Sequence, residues 1–177
     1  PMELINTVLI PALDQVGRGF EAGTIFLPQL LMSAEAAKAA FEVVKAALSG
    51  QVEEKRGQVV LATVKGDVHD IGKNIVKVLL ENYGFEVIDL GRNVPPEEIL
   101  STAARPGVRL VGLSALMTTT VVSMEEAIRQ LHAQLPQVKV VVGGAVLTQE
   151  YAKRIGADQY ARDAMATVHY AQALYPQ

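Results

Sequence analysis

Apolar residues recur at helical spacing near the start of the chain. The first series consists of Leu4, Ile5, Val8, Leu9, Leu13, Val16 and Phe20. It predicts a helix over residues 2–20, and Pro11 indicates a kink or restart within it. The second series consists of Leu27, Leu30, Ala34, Ala37, Phe41, Val44 and Leu48. It predicts a helix over residues 26–48 with an apolar seam for another helix. The pair is either a plain hairpin or a mobile cap, and the pattern alone leaves both open.

The pattern changes after a polar stretch at residues 49–57, which we interpret as a linker. From Gln58 onward, short apolar runs alternate with stretches of helical period. The runs predict strands at residues 59–64, 85–90, 108–113, 138–142 and 158–161. The other stretches predict helices at residues 71–83, 121–134, 149–155 and 164–174, and one more that begins at residue 95 or 96. This alternation predicts an α/β fold, a flavodoxin-like five-stranded parallel sheet of order 2-1-3-4-5.

Composition narrows the possible functions. The chain contains no cysteine, which excludes thiolate metal sites and disulfides and fits a cytoplasmic location. Its net charge is −3 with both signs interspersed, so we expect no nucleic-acid partner. No apolar run is long enough for a bilayer and no signal peptide is visible, so we expect no membrane partner. The sequence begins at Pro1 rather than methionine, and we expect it to be a fragment or a processed product.

Three unusual stretches follow three of the predicted strands. They are residues 65–72 after the first strand, 114–120 after the third and 143–144 after the fourth. Doubly wound sheets bind ligands beyond the carboxyl ends of their strands, near the switch point of the topology. The three stretches therefore predict one ligand site at that edge of the sheet.

His69 is the main candidate for chemistry at this edge. Asp67 precedes it by two residues, and a carboxylate often holds one nitrogen of an imidazole whose other nitrogen binds a metal. We expect the hydroxyls of Ser114 and Thr120 to hydrogen-bond Asp67 in turn. The sequence thus predicts a histidine–carboxylate pair that is suited to hold a metal.

Simpler interpretations remain open. Asp67 also suits the N-cap of the helix that begins near Ile71, and Asp70 suits the positive end of its dipole. A phosphoacceptor aspartate would need an acidic cluster and a lysine that are not visible. One histidine and two aspartates are too few for an ordinary zinc or magnesium site, and no P-loop or dinucleotide glycine spacing is present. We assign no special role to His132 and His169, which fall in predicted surface helices.

A single histidine suffices when the metal arrives already coordinated by a macrocycle. The protein then supplies only an axial ligand and a shaped cavity. Small residues would leave room for a bulky part of such a cofactor, and the chain has them at Gly72, Gly112, Gly143, Gly144 and Ala145.

Three motifs resemble those of cobalamin-binding domains. Residues 67–72, Asp-Val-His-Asp-Ile-Gly, match the family's Asp-x-His-x-x-Gly, residues 114–116 match its Ser-x-Leu, and residues 143–144 match its Gly-Gly. The longer string at residues 64–74 resembles the methyltransferase branch, most closely cobalamin-dependent methionine synthase and the small corrinoid proteins of methanol and methylamine metabolism. Phe26-Leu27-Pro28-Gln29 resembles the second half of that branch's helical cap.

The resemblance implies a cobalamin cofactor, as methylcobalamin, whose cobalt takes His69 as its lower axial ligand in the base-off, His-on form. It implies that Asp67 and Thr120 modulate the proton on His69, so that these three residues are catalytic. The implied cofactor-binding residues are His69, Asp67, Val68, Asp70, Ile71, Gly72, Ser114, Leu116, Thr118, Gly143, Gly144, Tyr160, Ala161, Ala164, Phe20 and Leu27. The nucleotide tail is expected to contact Ser114, Leu116, Thr118, Gly143, Gly144, Tyr160, Ala161 and Ala164. Phe20 and Leu27 are expected to cover the methyl face of the cofactor.

The resemblance also implies a domain organisation and a function. Residues 1–50 would be the last two helices of a four-helix cap, and residues 57–177 the cobalamin-binding domain. The chain would carry a methyl group on cobalt from a donor to a thiol acceptor, as one module of a methionine-synthase-type methyltransferase and incomplete as an enzyme by itself. Its partners would be methyl-donor and methyl-acceptor domains or subunits and a reductive activation partner. The alternative is a free-standing corrinoid shuttle protein of a methanol or methylamine system. A mutase domain, a light-sensing module and an interaction domain without a cofactor fit less well.

Overall fold

The computed structural model describes residues 4–48 and 56–176. Contacts within the chain divide it into two compact units, residues 1–53 and 54–177. Most of the predicted linker, at residues 49–55, lies outside the described residues. Within the described ranges, we find no helix with the length and apolar character needed to cross a membrane.

The first unit is helical. A π-helical turn at Ile5–Leu9 leads into helix α1 at Ile10–Glu21, and helix α2 spans Leu27–Leu48. Pro11 lies in the first turn of α1, where a missing N–H is tolerated. The helical hydrogen bonding therefore changes at the position where the sequence predicts a restart.

Local hydrogen bonds fix the start of α2. Gly23, in the preceding turn, adopts a φ of 72° that favours glycine. The Phe26 N–H donates to Gln29 Oε1 at 2.8 Å, which is half of a capping box. Pro28 follows in the first helical turn. Farther along the predicted seam, Val44 is buried, as expected for a helix that packs against another.

The second unit is built on a five-stranded parallel sheet of order β2-β1-β3-β4-β5, which confirms the predicted topology. The strands are β1 at Gln58–Thr63, β2 at Glu86–Asp89, β3 at Val108–Ser114, β4 at Lys139–Gly143 and β5 at Gln159–Tyr160. Thr63 lies opposite Ser114, and Ser114 lies opposite Gly143. The last residues of β1, β3 and β4 therefore lie side by side, at what we call the carboxyl edge. The opposite end of the sheet is the amino edge.

Helices connect the strands and cover both faces of the sheet. They are α3 at Ile71–Asn82, α4 at Pro96–Ala103, α5 at Val121–Gln134, α6 at Gln149–Arg154 and α7 at Ala164–Leu174. Helix α3 packs with α7, and α4 packs with α5. One core cluster joins Val60, Val111 and Val140 of the sheet to Met124 and Ile128 of α5. Because both faces are covered, β1 and β3 are apolar almost throughout, as their uninterrupted runs predict.

Candidate functional site

The first loop of the carboxyl edge begins with a tight turn. The Asp67 N–H donates to the Val64 carbonyl at 3.0 Å, and Gly66 adopts a φ of 87°. These are the features of a type II turn, which needs glycine at its third residue. A Cβ at position 66 would also lie 3.4 Å from Thr120 Cγ2. The turn brings Asp67 to the loop that follows β3.

The Asp67 carboxylate is fully buried and accepts hydrogen bonds at both oxygens. Oδ1 accepts from the His69 N–H at 3.0 Å and lies 2.8 Å from His69 Nδ1. Oδ2 accepts from the N–H groups of Leu116 at 2.7 Å and Met117 at 3.3 Å. The Thr120 hydroxyl completes the set at 2.9 Å from Oδ2. The carboxylate therefore joins the loop after β1 to the loop after β3.

These contacts keep Asp67 ionised. Burial raises the pKa of the carboxyl, but hydrogen bonds from the His69 N–H, the Leu116 N–H, the His69 ring and the Thr120 hydroxyl outweigh this effect. The pKa of Asp67 consequently lies well below its ordinary value. Asp67 is therefore a hydrogen-bond acceptor for the imidazole and cannot be a donor.

The contact with Asp67 favours the His69 tautomer whose Nε2 can bind a metal. An ionised carboxylate can only accept at Nδ1, so a neutral ring bound to it carries its proton there and has its lone pair on Nε2. The His69 side chain is 47% exposed, so the ring is open to a ligand from outside this unit. Among the described residues, no group of three or more histidine, cysteine, aspartate or glutamate side chains could hold a metal ion. The single nitrogen fits a metal that brings its other ligands with it.

The capping interpretation of Asp67 is wrong. In the described part of the chain, the hydrogen bonds to its oxygens come from His69, Leu116, Met117 and Thr120 and not from α3. Asp70 occupies the N-cap position of α3, although its side chain makes no capping hydrogen bond. The buried carboxylate is therefore committed to the imidazole and to the loop after β3.

Ser114 differs from the prediction, whereas Thr120 agrees with it. The Ser114 hydroxyl lies 2.9 Å from Thr63 Oγ1 instead of contacting Asp67. Thr63 and Ser114 are direct partners in the β1–β3 register, so their hydroxyls meet across the sheet. The Thr120 hydroxyl lies between Asp67 Oδ2 and the Met117 carbonyl, at 2.9 and 2.8 Å. Thr120 alone provides the predicted hydroxyl contact.

Large apolar side chains are exposed along these two loops. Val68 and Ile71 flank His69 in sequence and are 54% and 52% exposed. Leu116, whose N–H binds Asp67, and Val122 at the start of α5 are exposed as well. Exposed apolar surface of this kind marks a binding site more often than an isolated leucine does. We call Val68, Ile71 and Leu116 the apolar rim. These three residues are among the predicted cofactor contacts, whereas Val122 is not.

The glycines of the site do not all leave open space. A Cβ at Gly72 would meet nothing within 4 Å, as expected for a position facing a ligand. A Cβ at Gly112 would lie 2.6 Å from Leu61 Cδ2, and one at Gly144 would lie 1.8 Å from the Ala115 carbonyl oxygen. Close packing therefore explains Gly112 and Gly144, and the expectation that they leave room is wrong. Gly144 lets the turn after β4 approach the loop after β3.

The remaining predicted residues lie farther along the edge or in the first unit. The Tyr160 hydroxyl donates to the Leu147 carbonyl at 3.1 Å, and the Ala161 N–H donates to β4. Ala164 begins α7, and Thr118 is exposed in the 3-10 turn Thr118–Thr120 before α5. Phe20 is partly exposed, and the Leu27 side chain lies outside the described set. The ligand contacts expected of these residues stay predictions.

An ion pair that the sequence did not predict lies beside the His69 loop. Lys73 is almost fully buried, and its Nζ donates to Asp89 Oδ1 at 2.5 Å and to Asn74 Oδ1 at 2.9 Å. Lys77 Nζ lies 3.3 Å from Asp89 Oδ2. Burial raises the pKa of Asp89, but the bond from Lys73 and further contacts hold it below its ordinary value. The pair ties the first turn of α3 to the end of β2, and an aspartate at the end of an apolar strand was the available signal.

Comparison with known families shows to which family the chain belongs. The sequence model of the B12 binding domain matches residues 57–169, and a second B12 binding domain model matches residues 1–45. The chain belongs to the B12-binding domain family. Members of this family bind a corrinoid, so the half-exposed imidazole, with its buried carboxylate and its apolar rim, is the candidate corrinoid site.

Relatives in this family are corrinoid proteins of methyltransferase systems. Dimethylamine corrinoid protein 2 of Methanosarcina mazei is 44% identical over 98% of this chain and 83% of its own length. The structure of the Methanosarcina barkeri monomethylamine corrinoid protein matches with a TM-score of 0.75 and 33% identity, over 97% of this chain and 83% of that one. The crystal structure of the methanol:cobalamin methyltransferase complex from the same organism matches with a TM-score of 0.65 and 34% identity, over 99% and 68%.

These similarities bear on the two functions that the sequence resemblance left in competition. They support the corrinoid and methyltransferase parts of the prediction, because the B12-binding relatives carry those names. They do not support the prediction that the chain is a module of a methionine-synthase-type enzyme. The alternative, a corrinoid protein of a methanol or methylamine system, agrees better with them.

Proposed function

We propose that the chain is a free-standing corrinoid protein that binds cobalamin through His69. It carries a methyl group between a methylamine-type methyltransferase and a thiol acceptor. The observation that supports this best is the Asp67–His69 pair, which keeps Nε2 available on a half-exposed ring. The 44% identity to a dimethylamine corrinoid protein favours a methylamine donor system over methionine synthase.

Each residue of the pair has a distinct task. Cobalamin, when bound, supplies a cobalt that accepts and releases a methyl group. His69 holds this cobalt through Nε2, while Asp67 holds the proton on Nδ1 and strengthens the ring as a donor. The N–H groups of Leu116 and Met117 and the Thr120 hydroxyl keep the carboxylate ionised and fixed. Ring orientation and proton position are thus set before the cofactor arrives.

The apolar rim adds to the affinity for cobalamin by hydrophobic contact and not by binding the cobalt. Val68, Ile71 and Leu116 have apolar surface that a corrin ring would remove from water, which favours binding. Two further residues of the His69 loop belong to the same proposal as cofactor contacts, Asp70 and Gly72. The proposed contacts of the nucleotide tail are Ser114, Thr118, Gly143, Gly144, Tyr160, Ala161 and Ala164.

Binding and ligation can be tested on the purified chain. After incubation with hydroxocobalamin, the chain should retain about one equivalent of cobalt through gel filtration. After reduction to cob(II)alamin, electron paramagnetic resonance should show coupling to one axial nitrogen. Labelling the histidines with the heavy nitrogen isotope should change that coupling, because the nitrogen then comes from the protein.

A matched pair of variants assigns the ligand. His69→Ala should keep bound cobalamin but lose the coupling to a protein nitrogen. His132→Ala removes the histidine of the other histidine–aspartate pair, in α5, and should keep both. Absence of retained cobalt in the unaltered chain would contradict the proposal, and so would an unchanged spectrum in His69→Ala.

The donor needs a separate experiment. The cobalamin-bound chain is reduced and mixed with a methyltransferase that uses dimethylamine, with or without the amine. We expect methylcobalamin absorption to form only when both are present, and His69→Ala to slow its formation. If methylation occurs only with a methionine-synthase donor domain and its folate donor, the methylamine assignment is wrong while cobalamin binding stands.

A further inference from the structure

The loop after β2 contains a residue in an unusual backbone conformation beside the His69 loop. Asn93 has a φ of 56°, and in the described ranges it is the one non-glycine residue with a positive φ. Asparagine tolerates this conformation better than most residues, and such positions are common where a loop must hold a functional geometry. Asn93 lies between Gly91 and Val94, whose backbones are bonded to Thr63 at the end of β1.

Asn93 contacts the turn that carries Asp67 from two sides. The Gly66 N–H donates to Asn93 Oδ1 at 2.8 Å. The Asn93 N–H donates to the Asp67 carbonyl at 2.9 Å. With the backbone of Asn93 in the left-handed conformation, its side-chain oxygen and its backbone N–H both face the same turn. The two bonds span consecutive positions of the type II turn at Val64–Asp67.

These bonds supply what the carboxylate contacts cannot. The Asp67 side chain is fixed by the loop after β3, through Leu116, Met117 and Thr120. Its main chain is held by the Asp67 N–H bond to Val64 and by the bond from Asn93. Without Asn93, the Gly66–Asp67 half of the turn loses both of these bonds on the β2 side, while the bridge between Val64 and Val94 remains. The carboxylate and imidazole that follow can then shift together.

We propose that Asn93 is a positioning residue for axial ligation by His69. It acts through the Gly66–Asp67 backbone, because its two hydrogen bonds are to that backbone and not to the imidazole. The inference rests on the proposed function, since its consequence is measured on bound cobalamin. Asn93 is exposed, so its loss should disturb ligand geometry more than it disturbs folding.

Three substitutions separate its two contacts. Asn93→Gly keeps the backbone conformation and the N–H bond to Asp67 but removes the acceptor for Gly66. Asn93→Ala removes the same acceptor and also disfavours the positive φ. Asn93→Asp keeps an acceptor oxygen and a residue type that tolerates this φ. We expect axial ligation to weaken in the order Asn, Asp, Gly, Ala, with Asp close to the unaltered chain.

The measurements are the Kd for hydroxocobalamin and the protein-nitrogen coupling of bound cob(II)alamin. Direct partners of a ligating histidine contribute roughly 10–100-fold to metal affinity, so we expect about a 3–10-fold higher Kd in Asn93→Ala. Part of its nitrogen coupling should be lost. Asp158→Asn serves as the control, because it weakens the contacts of Asp158 with Lys139 and His132 at the opposite end of the sheet and is expected to weaken the fold alone.

The outcomes distinguish this inference from the proposed function. If the unaltered chain shows no protein-nitrogen coupling, the proposed function fails and this inference with it. If the unaltered chain shows the coupling and Asn93→Ala and Asn93→Gly match it in Kd and coupling, only the positioning role is overturned. Equal losses in Asp158→Asn would overturn it as well, because general destabilisation would then explain them. Weaker ligation in Ala and Gly with rescue by Asp would support it.

Discussion

Two histidine–aspartate pairs lie at opposite ends of the same sheet. At the carboxyl edge, His69 Nδ1 lies 2.8 Å from Asp67 Oδ1. At the amino edge, His132 Nε2 of α5 lies 2.9 Å from Asp158 Oδ2, just before β5. Both imidazoles are partly exposed, at 47% and 36%. Distance and exposure of the ring therefore do not distinguish a ligand site from a structural contact.

The surroundings of the two carboxylates do distinguish them. Asp158 also accepts from Lys139 Nζ at 2.8 Å and from the Val140 N–H at 2.9 Å. Its negative charge is already balanced by a lysine. In the described hydrogen bonds of Asp67, the imidazole of His69 is the one partner able to become positive. Asp67 therefore directs its charge to the ring, which agrees with the proposed role of His69 as a metal ligand.

The protein surfaces around His69 and His132 also differ in how much apolar side chain they expose. Within residues 56–176, the exposed large apolar side chains are Val68, Ile71, Leu116 and Val122. All four follow the carboxyl ends of β1 or β3, whereas His132 lies beside Asp158, which also binds Lys139. These differences support the proposed ligand site at His69, where an uncompensated buried carboxylate and the apolar rim lie together, and give no such support to His132.

The largest expected difference comes from truncating each aspartate. Asp67→Ala should lower the free energy of unfolding by about 3 kcal/mol, because it leaves several N–H donors without an acceptor. Asp158→Ala should lower it by about 1 kcal/mol, because Lys139 can turn to water. Urea denaturation of the cofactor-free proteins measures both. Losses of equal size would contradict the distinction between the two carboxylates.

The same variants should differ in cobalamin binding. Asp67→Ala should raise the Kd for hydroxocobalamin by roughly 10–100-fold, as for other carboxylates that orient a ligating histidine. Asp158→Ala should leave that Kd unchanged. A control at Thr120→Val separates the hydroxyl from the charge, and should give a smaller increase than Asp67→Ala.

Sequence reasoning succeeds here where the signal is local. Uninterrupted apolar runs predict β1 and β3 because a strand covered on both faces has no polar side to show. The pairing of His69 with Asp67 is likewise local, since the two residues are separated by one position and share a turn. The sequence therefore predicts the sheet order, the edge that carries the site and the orienting carboxylate.

It fails where a contact depends on the register between strands. Ser114 and Thr120 both follow β3, and the sequence alone could not show that Ser114 meets Thr63 across the sheet. Asn93 and the Lys73–Asp89 pair were missed for the same reason, because their partners lie in another loop or strand. Gly144 was predicted for open space, yet it is needed for close approach to Ala115.

An intermediate effect is expected from the apolar rim. Val68→Ser and Ile71→Ser each remove a half-exposed apolar side chain. Burial of its exposed part by the cofactor would contribute about 1 kcal/mol to the free energy of binding. Each should therefore raise the Kd for hydroxocobalamin about fivefold. Each should change the free energy of unfolding by less than about 0.5 kcal/mol, as for surface positions in general. Val43→Ser, at an exposed valine of α2, is the matched control for stability. Unchanged affinity in both rim variants would limit the site to the imidazole pair.

The smallest expected effect concerns the charge of Asp158. Burial raises its pKa, but bonds from Lys139, the Val140 N–H and His132 hold the pKa below its ordinary value. A carboxyl of this kind stabilises the fold above its unfolded pKa of about 3.9 and loses that contribution as pH falls through the folded value. We expect Asp158→Asn to lower the free energy of unfolding by about 1 kcal/mol at neutral pH, and the difference from the unaltered chain to shrink as pH falls from about 4 through the lower folded pKa of Asp158. Urea denaturation across pH measures this. A difference that grows on acidification would show that the charge at the amino edge does not stabilise the fold, and the contrast with Asp67 would then rest on the His69 site alone.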